Sequence, residues 1–276
     1  MMEENCKIIG AESPMGRYLE AAAEGCVFAA PTLLVTLPDG GEQGEDALRR
    51  AEELISAGTV RQTVLISTAE VYAGSDDEEL FENSRRSAVE PYARLCLKAE
   101  ERLAVLCRKQ GVPLAVLRPA MMFGTDIGGE GELLFRLVMS GQFFVIRDCP
   151  ARRSAVCALD VARVAVTIAG ADGIFNVTDG RRPRLSEIAQ AMTTNAGATK
   201  RTVVLPQKWA ALLAKVADRL PRLRTLYGSE TLAWKMRDRV LSDAELRKLL
   251  PDFKFFNTLE VIERRDPEYP YEYADA

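Results

Sequence analysis

The sequence predicts an α/β fold: a doubly wound parallel sheet, shortened at one side, with a smaller and mainly helical C-terminal lobe. Short apolar runs alternate with amphipathic segments through the first half of the chain, the rhythm of parallel strands joined by crossover helices. Glycine and proline stand at the joints between these segments, where helices begin and end. Beyond about residue 177 the strand-like runs thin out and short helical periods dominate.

Taken in order, "CKIIGA" reads as a strand and "SPMGRYLEAAAEG" as a helix that opens on Pro14 and closes on Gly25. "PTLLVTLPD" is a second buried strand, and "GEQGEDALRRAEELISAG" has helical periodicity between glycines. "QTVLIS" is a strand, "PYARLCLKAEERLAVLCRKQG" a long helix stopped by Gly111, and "PLAVLRP" a strand again. Sites in such a sheet lie at the carboxyl ends of the strands. After residue 125 the sequence predicts a helix in "EGELLFRLVMSG", a strand in "RRSAVCA", a helix in "LDVARVAVTIAG" and a strand in "GIFNVTDG". "RLSEIAQAMTTNAG", "PQKWAALLAKVADRL" and "SDAELRKLLP" follow as short helices. The tail "RRDPEYPYEYADA" is broken by proline and acidic, a strap or a disordered end. The expected division is 1–124 with about 150–176 as the sheet domain, and about 125–149 with 177–276 as the smaller lobe.

Composition narrows the chemistry. The chain has 276 residues, 47% apolar and 28% charged, with formal net charge −4, so it lacks the basic excess that a phosphate backbone demands and nucleic acid is not an expected partner. No apolar run approaches the roughly 18 residues of a membrane helix, and the acidic start "MMEENCKIIG" does not read as a signal peptide. A cytoplasmic protein with no membrane partner is the expectation. Six cysteines stand without C-x-x-C spacing, which predicts free, mostly buried thiols and no metal site. Histidine is absent, which excludes a Ser-His-Asp triad and imidazole proton transfer.

The segments "VLISTAEVYAG", "EPYARLCLKAEERL", "LAVLRPAMMFG", "RRSAVCALDVARV" and "GIFNVTDGRRPRLSEIAQAM" occur in an order and spacing that resembles the extended short-chain dehydrogenase/reductases, the NAD-dependent epimerase/dehydratase family. "DRVLSDAELRKLLPDFKFFNTLEVIE" is similar to that family's C-terminal segment. The resemblance covers about residues 5–265 and implies a Rossmann-like domain for NAD(P) and a small lobe that receives a nucleotide-sugar. It also implies a catalytic pair in which a tyrosine acts as acid or base and a lysine four residues on, one turn along the same helix face, holds the nicotinamide ribose and lowers the tyrosine pKa. Tyr92 matches the tyrosine, and Cys96 stands at the lysine position. Lys98 does not replace it, because two residues on an α-helix turn through about 200°. Thr68 matches the hydroxyl that polarises a carbonyl, and Glu70 keeps one member of the dehydratase acidic pair while Ala69 removes the other.

The resemblance assigns Gly10, Ser13, Met15 and Gly16 to the dinucleotide loop, with Ser13 where the family has its middle glycine and Glu12 adding negative charge beside it. It assigns Arg118, Met121 and Arg153 to the substrate side, with Arg152 beside them. Family members usually carry two further strand-helix units between the loop and the strand resembling "PTLLVTLPD"; only "RYLEAAAEGCVFAA" stands there, so the adenine half of the cofactor site is expected to be missing. Three functions follow as expectations: a family member with impaired catalysis that acts as a binding or partner subunit, an active NAD(P)-dependent enzyme on a nucleotide-sugar, or an assembly module that pairs with an active paralogue. The helices at 43–57 and 92–110 correspond to the family's dimer helices, and a homo- or heterodimer through them is expected because their apolar positions exceed what one sheet face covers.

Overall fold

The computed structural model describes residues 5–75, 77–195 and 202–264. The expected tail beyond residue 264 lies outside the described residues. Strand β1 (Cys6–Ile9) leads into α1 (Pro14–Ala23), β2 (Thr32–Thr36) into α2 (Glu42–Ser56), and β3 (Gln62–Ile66) through a 3-10 turn (Ala69–Tyr72) and β4 (Glu79–Leu80) into α3 (Pro91–Gln110). β5 (Leu114–Pro119) runs almost directly into β6 (Met121–Phe123), followed by α4 (Gly129–Met139), β7 (Phe144–Ile146), β8 (Ala155–Cys157), α5 (Ala158–Thr167) and β9 (Gly173–Val177). The C-terminal part holds α6 (Leu185–Asn195), β10 (Val203–Leu205), α7 (Gln207–Ala217), α8 (Pro221–Tyr227), α9 (Ser229–Met236), β11 (Val240–Leu241), α10 (Ala244–Leu249) and α11 (Thr258–Arg264). The sequence did not announce β4, β6, β7, β10 or β11, since strands of two or three residues are too short to show a period.

The main sheet is parallel throughout, in the order β1-β2-β3-β5-β9. Every residue of β2, β3 and β5 is buried, as strands covered on both faces must be, which is why they read as continuous apolar runs. α1 packs with α5 on one face and α2 with α3 on the other. β1 is an edge strand, and the exposed Lys7 on it guards the unpaired backbone. The steps β1 to β2 and β2 to β3 run in the same direction across the sheet, yet their helices lie on opposite faces. The two crossovers therefore have opposite hands, and one of them has the hand found in only about 2% of such connections. α1 takes the face it would have on the way to a strand beyond β1, but the chain turns back through residues 24–31 to β2.

Cohesion across the sheet comes from one buried polar network. Arg118, fully buried on β5, pairs with Glu100 of α3 through Nη2 (2.6 Å) and Nε (3.0 Å). Its Nη1 donates to Tyr72 Oη (2.6 Å) and to the Glu82 carbonyl (3.0 Å), and Tyr72 in turn donates to Asn176 Oδ1 (2.9 Å) on β9. Ser67 donates to Glu100 at 2.5 Å. Each buried charge has a partner and each hydroxyl a role, the condition under which a buried pair holds a fold together without leaving an orphan. A second anchor is Asp160 on α5, which accepts from Phe256 N (2.7 Å) and from Arg163 (2.8 Å) and so fastens the segment after α10 to the sheet domain.

The apolar residues of α2 and α3 face inward. Ala47, Leu48, Ala51 and Ile55 on α2, and Leu95, Cys96, Ala99, Leu103 and Cys107 on α3, are buried in the core around the sheet. Outward stand charged residues, and the two helices bridge to each other through Lys98–Glu45 (2.7 Å) and Arg102–Glu52 (2.6 Å). Leu54 on α2 and Leu97, Ala104 and Leu106 on α3 pack against that core and stay partly buried, and Val105 is exposed.

Candidate functional site

At the carboxyl ends of β1, β2, β3 and β5 lies a cleft of about 390 Å³. The turn before α1 brings Ser13 and Met15 to it, the loop after β2 brings Asp39, the turn after β3 brings Thr68 and Glu70, and α3 brings Tyr92. Met121, Asp126 and Glu130 close the far side.

The loop at the mouth of α1 is folded on itself. Ser13 caps the helix: its Oγ accepts from Gly16 N (3.0 Å) and donates to the Gly10 carbonyl (2.6 Å). That hydroxyl occupies a backbone N–H that a helix N-terminus would otherwise offer to an anion. The flanking glycines are required by packing. Gly10 sits at φ +80, and a Cβ there would stand 2.3 Å from the Thr36 carbonyl; a Cβ on Gly16 would stand 2.1 Å from the Gly10 carbonyl. Glu12 is exposed.

Tyr92 opens onto the cleft with Cys96 one turn behind it on the same face. Burial, and then the neighbouring Cys96, push the Tyr92 phenol well above its usual value near 10. Cys96 is fully buried, and burial pushes its thiol up to about 12. No positive charge stands where the family lysine would, so this phenol is held protonated, the reverse of what proton abstraction requires. Lys98 points to α2 and pairs with Glu45. Thr68 accepts from Glu70 N (3.2 Å), and so its hydroxyl caps the 3-10 turn while lining the cleft.

The raised thiols carry a prediction. Cys96 and Cys157 both sit near 12 in the fold, against an ordinary thiol value of 9.0. The folded chain thus keeps protons that the unfolded chain gives up, so stability is intact below about pH 9 and falls as pH rises through the window to about 12. Urea melts between pH 8 and pH 11 are expected to show this decline, with both thiols unreactive to Ellman's reagent in the native state. A flat profile, or rapid native labelling of Cys96, contradicts the burial described here.

The inner end of the cleft is a carboxyl pair backed by arginines. Glu130 stands beside Glu70, and burial together with the Glu70 charge raises the Glu130 carboxyl to about 7, against the opposing pull of Arg239 and Arg153. Arg239 lies 3.5 Å from Glu70. Arg153, expected on the substrate side, is buried to 1% exposure: it donates to the carbonyls of Arg152, Arg237 and Trp234 and stacks on Trp234 at 4.8 Å. Glu130 Oε1 and Arg153 Nε have no hydrogen-bond partner. Arg118 is likewise removed from the substrate side, because its guanidinium is spent on Glu100, Tyr72 and Glu82. Met121 remains on the cleft wall, and Arg152 is exposed and bonded to the Arg182 carbonyl.

Sequence reasoning missed Glu130, Asp39, Asp126 and Glu100. For Glu100 a signal existed: it follows Tyr92 and Cys96 at successive intervals of four, on the same helix face.

Residues 45–178 match the model of the NAD dependent epimerase/dehydratase family. Over that span, just under half of the chain, the sequence carries the pattern of the NAD-dependent epimerase/dehydratase family. The match begins after the loop from Gly10 to Gly16, so the family's sequence pattern is carried by the later landmarks. No curated protein matches the chain in sequence. Solved structures of the family's fold do resemble it. UDP-N-acetylglucosamine 4-epimerase from Bacillus cereus superposes with TM-score 0.67 at 14% identity, over 98% of this chain and 99% of that one. RMD from Pseudomonas aeruginosa, complexed with NADPH, gives 0.65 at 16% over 97% and 99%. UDP-glucuronic acid 4-epimerase from Bacillus cereus, in complex with NAD, gives 0.63 at 11% over 97% and 98%. At these identities the likeness is one of fold.

Proposed function

We propose that this epimerase/dehydratase-family chain binds a small molecule without hydride transfer, in a cleft that no longer fits NAD(P). The observation that carries this reading is the Tyr92–Cys96 pair: a fully buried, uncharged thiol stands at the lysine position, one turn from a phenol whose ionisation is suppressed. Three further features support it. Ser13 Oγ takes the Gly16 N–H that would face a pyrophosphate. Among the lining residues the charged ones are Asp39, Glu70, Asp126 and Glu130, and Arg239 behind them pairs with Glu70, so the cleft wall presents no lysine or arginine to a phosphate. The order of the described sheet ends at β1 without reversing, whereas dinucleotides bind where the order of a doubly wound sheet reverses.

Asp39 is partly spent, since its Oδ1 accepts from Gly41 N and Gly44 N (both 2.9 Å) at the start of α2. Glu70 and Glu130 remain at the inner end of a wall built from Met15, Leu37, Ile66 and Met121. Such a cleft suits an uncharged or cationic small molecule whose polar end meets the carboxyl pair. Native mass spectrometry of the purified protein tests this. The expected result is no retained NAD(P) or nucleotide-sugar, and any adduct free of phosphate. Stoichiometric NAD(P) in the spectrum overturns the reading.

A further inference from the structure

Helix α7 is turned inside out relative to an ordinary surface helix. The residues it fully buries are alanines, Ala210, Ala214 and Ala217, with Leu213 half-buried against the Phe144–Ile146 cluster, while three large apolar side chains point outward: Trp209 is 63% exposed, Leu212 51% and Val216 45%. Their spacing of three and then four residues sets them in one stripe along the helix. Lys208, Lys215 and Arg219 run beside that stripe, all exposed, and none pairs with a carboxylate among the described residues. Val203 and Val204 on β10 and Leu220 after the helix enlarge the apolar surface. Asp218, the one carboxylate in the segment, is turned away to Ser229, accepting from its backbone N (2.9 Å) and from its hydroxyl (2.5 Å).

Charge separates this face from the rest of the molecule. Residues 207–224 hold five lysines and arginines against one aspartate, whereas the whole chain carries net charge −4. An anionic plane attracts this face and repels the body behind it, so attraction also sets orientation. An apolar stripe ending in tryptophan and flanked by long cationic side chains matches the boundary between lipid headgroups and acyl chains. The helix has eleven residues, about 16 Å of length, roughly half the bilayer core; it can lie on a membrane and cannot span one.

We propose that the outward face of α7, centred on Trp209, Leu212 and Val216 and edged by Lys208, Lys215 and Arg219, docks this protein peripherally on an anionic lipid surface. The absence of a long apolar run in the sequence excludes a spanning helix of the usual kind and does not bear on adsorption of this type.

Co-sedimentation with vesicles of mixed phosphatidylglycerol and phosphatidylcholine, set against pure phosphatidylcholine, tests it. Partitioning is expected to be at least about tenfold stronger on the anionic vesicles at low salt and to weaken as salt rises. The fluorescence of Trp209 should shift to the blue on binding, and Trp209→Phe should remove that shift, leaving Trp234 as the silent background. Trp209→Ser with Leu212→Ser, both at exposed positions and so compatible with folding, should abolish sedimentation; Lys208→Glu with Lys215→Glu should do the same. Failure of the wild type to sediment with anionic vesicles at low salt overturns the proposal. Undiminished binding by the double serine variant also overturns it, since bare charge attraction would then suffice. So does a wild-type dimer in light scattering that the serine variant converts to monomer, which assigns the face to a second copy of the chain.

Discussion

Glu100→Gln is expected to destabilise the protein by about 3–5 kcal/mol, the cost of leaving a buried guanidinium without its counter-charge. Arg118 is 0% exposed and Glu100 3%, so water cannot take over when the carboxylate is removed. The amide can still accept one hydrogen bond from Arg118, but its NH2 group would point a donor at a donor. The effect should appear as a melting temperature lower by about 10 °C, at an unchanged urea m-value. Replacing both partners by apolar residues of similar volume, Glu100→Leu with Arg118→Met, should recover a large part of the loss, because the desolvation cost disappears with the charges. Lys98→Ala on the outside of the same helix serves as the contrast: its pair with Glu45 is exposed on both sides, and the change should stay within about 1 kcal/mol. A Glu100→Gln protein as stable as wild type would mean that the network does not hold the sheet together as described.

The second large effect belongs to Cys96→Lys, which restores the family residue. The thiol is fully buried between Tyr92 and Ser67, so the longer lysine must overfill the site or drive its ammonium into an apolar wall, at a cost of several kcal/mol. Glu100 lies close enough to influence this position, but it is already committed to Arg118. No NAD(P)-dependent turnover of nucleotide-sugars is expected to appear, because the Ser13 cap and the acidic wall are untouched. Cys96→Ala should cost about 1 kcal/mol. Gain of turnover in Cys96→Lys would show the cofactor site to be intact.

The layered α/β fold was legible in the sequence because strands buried on both faces must be apolar throughout, as "TLLVT" and "QTVLI" are. The landmarks that carry the family resemblance were legible for a related reason. Tyr72, Arg118, Asn176 and Asp160 are each held in a buried polar network that tolerates few residue types. They report how the sheet is held together, and Arg118, expected on the substrate side, is buried in that network. The divergent positions tell of the site: Cys96 and Ser13 could be seen as departures, and the structure shows what they do instead. The burial of Arg153 was not legible because its cover, Trp234, lies 81 residues further on, beyond the reach of any local pattern. The inverted face of α7 went unseen for the opposite reason. "WAALLAKVA" has an ordinary helical period, and nothing in it says that alanines face inward. The mixed crossover hands depend on which face α1 takes, which local sequence does not specify.

The account stands most directly on whether reduced cofactor binds. Titration of NADH and NADPH, followed through cofactor fluorescence and energy transfer from Trp209 and Trp234, is expected to give no saturable signal at cofactor concentrations up to about a hundred micromolar, above where many enzymes are half-saturated. Saturable binding of either cofactor at low micromolar concentration, competed by NAD(P), would contradict the closed loop at Ser13, the acidic wall and the reading of Tyr92 and Cys96 together.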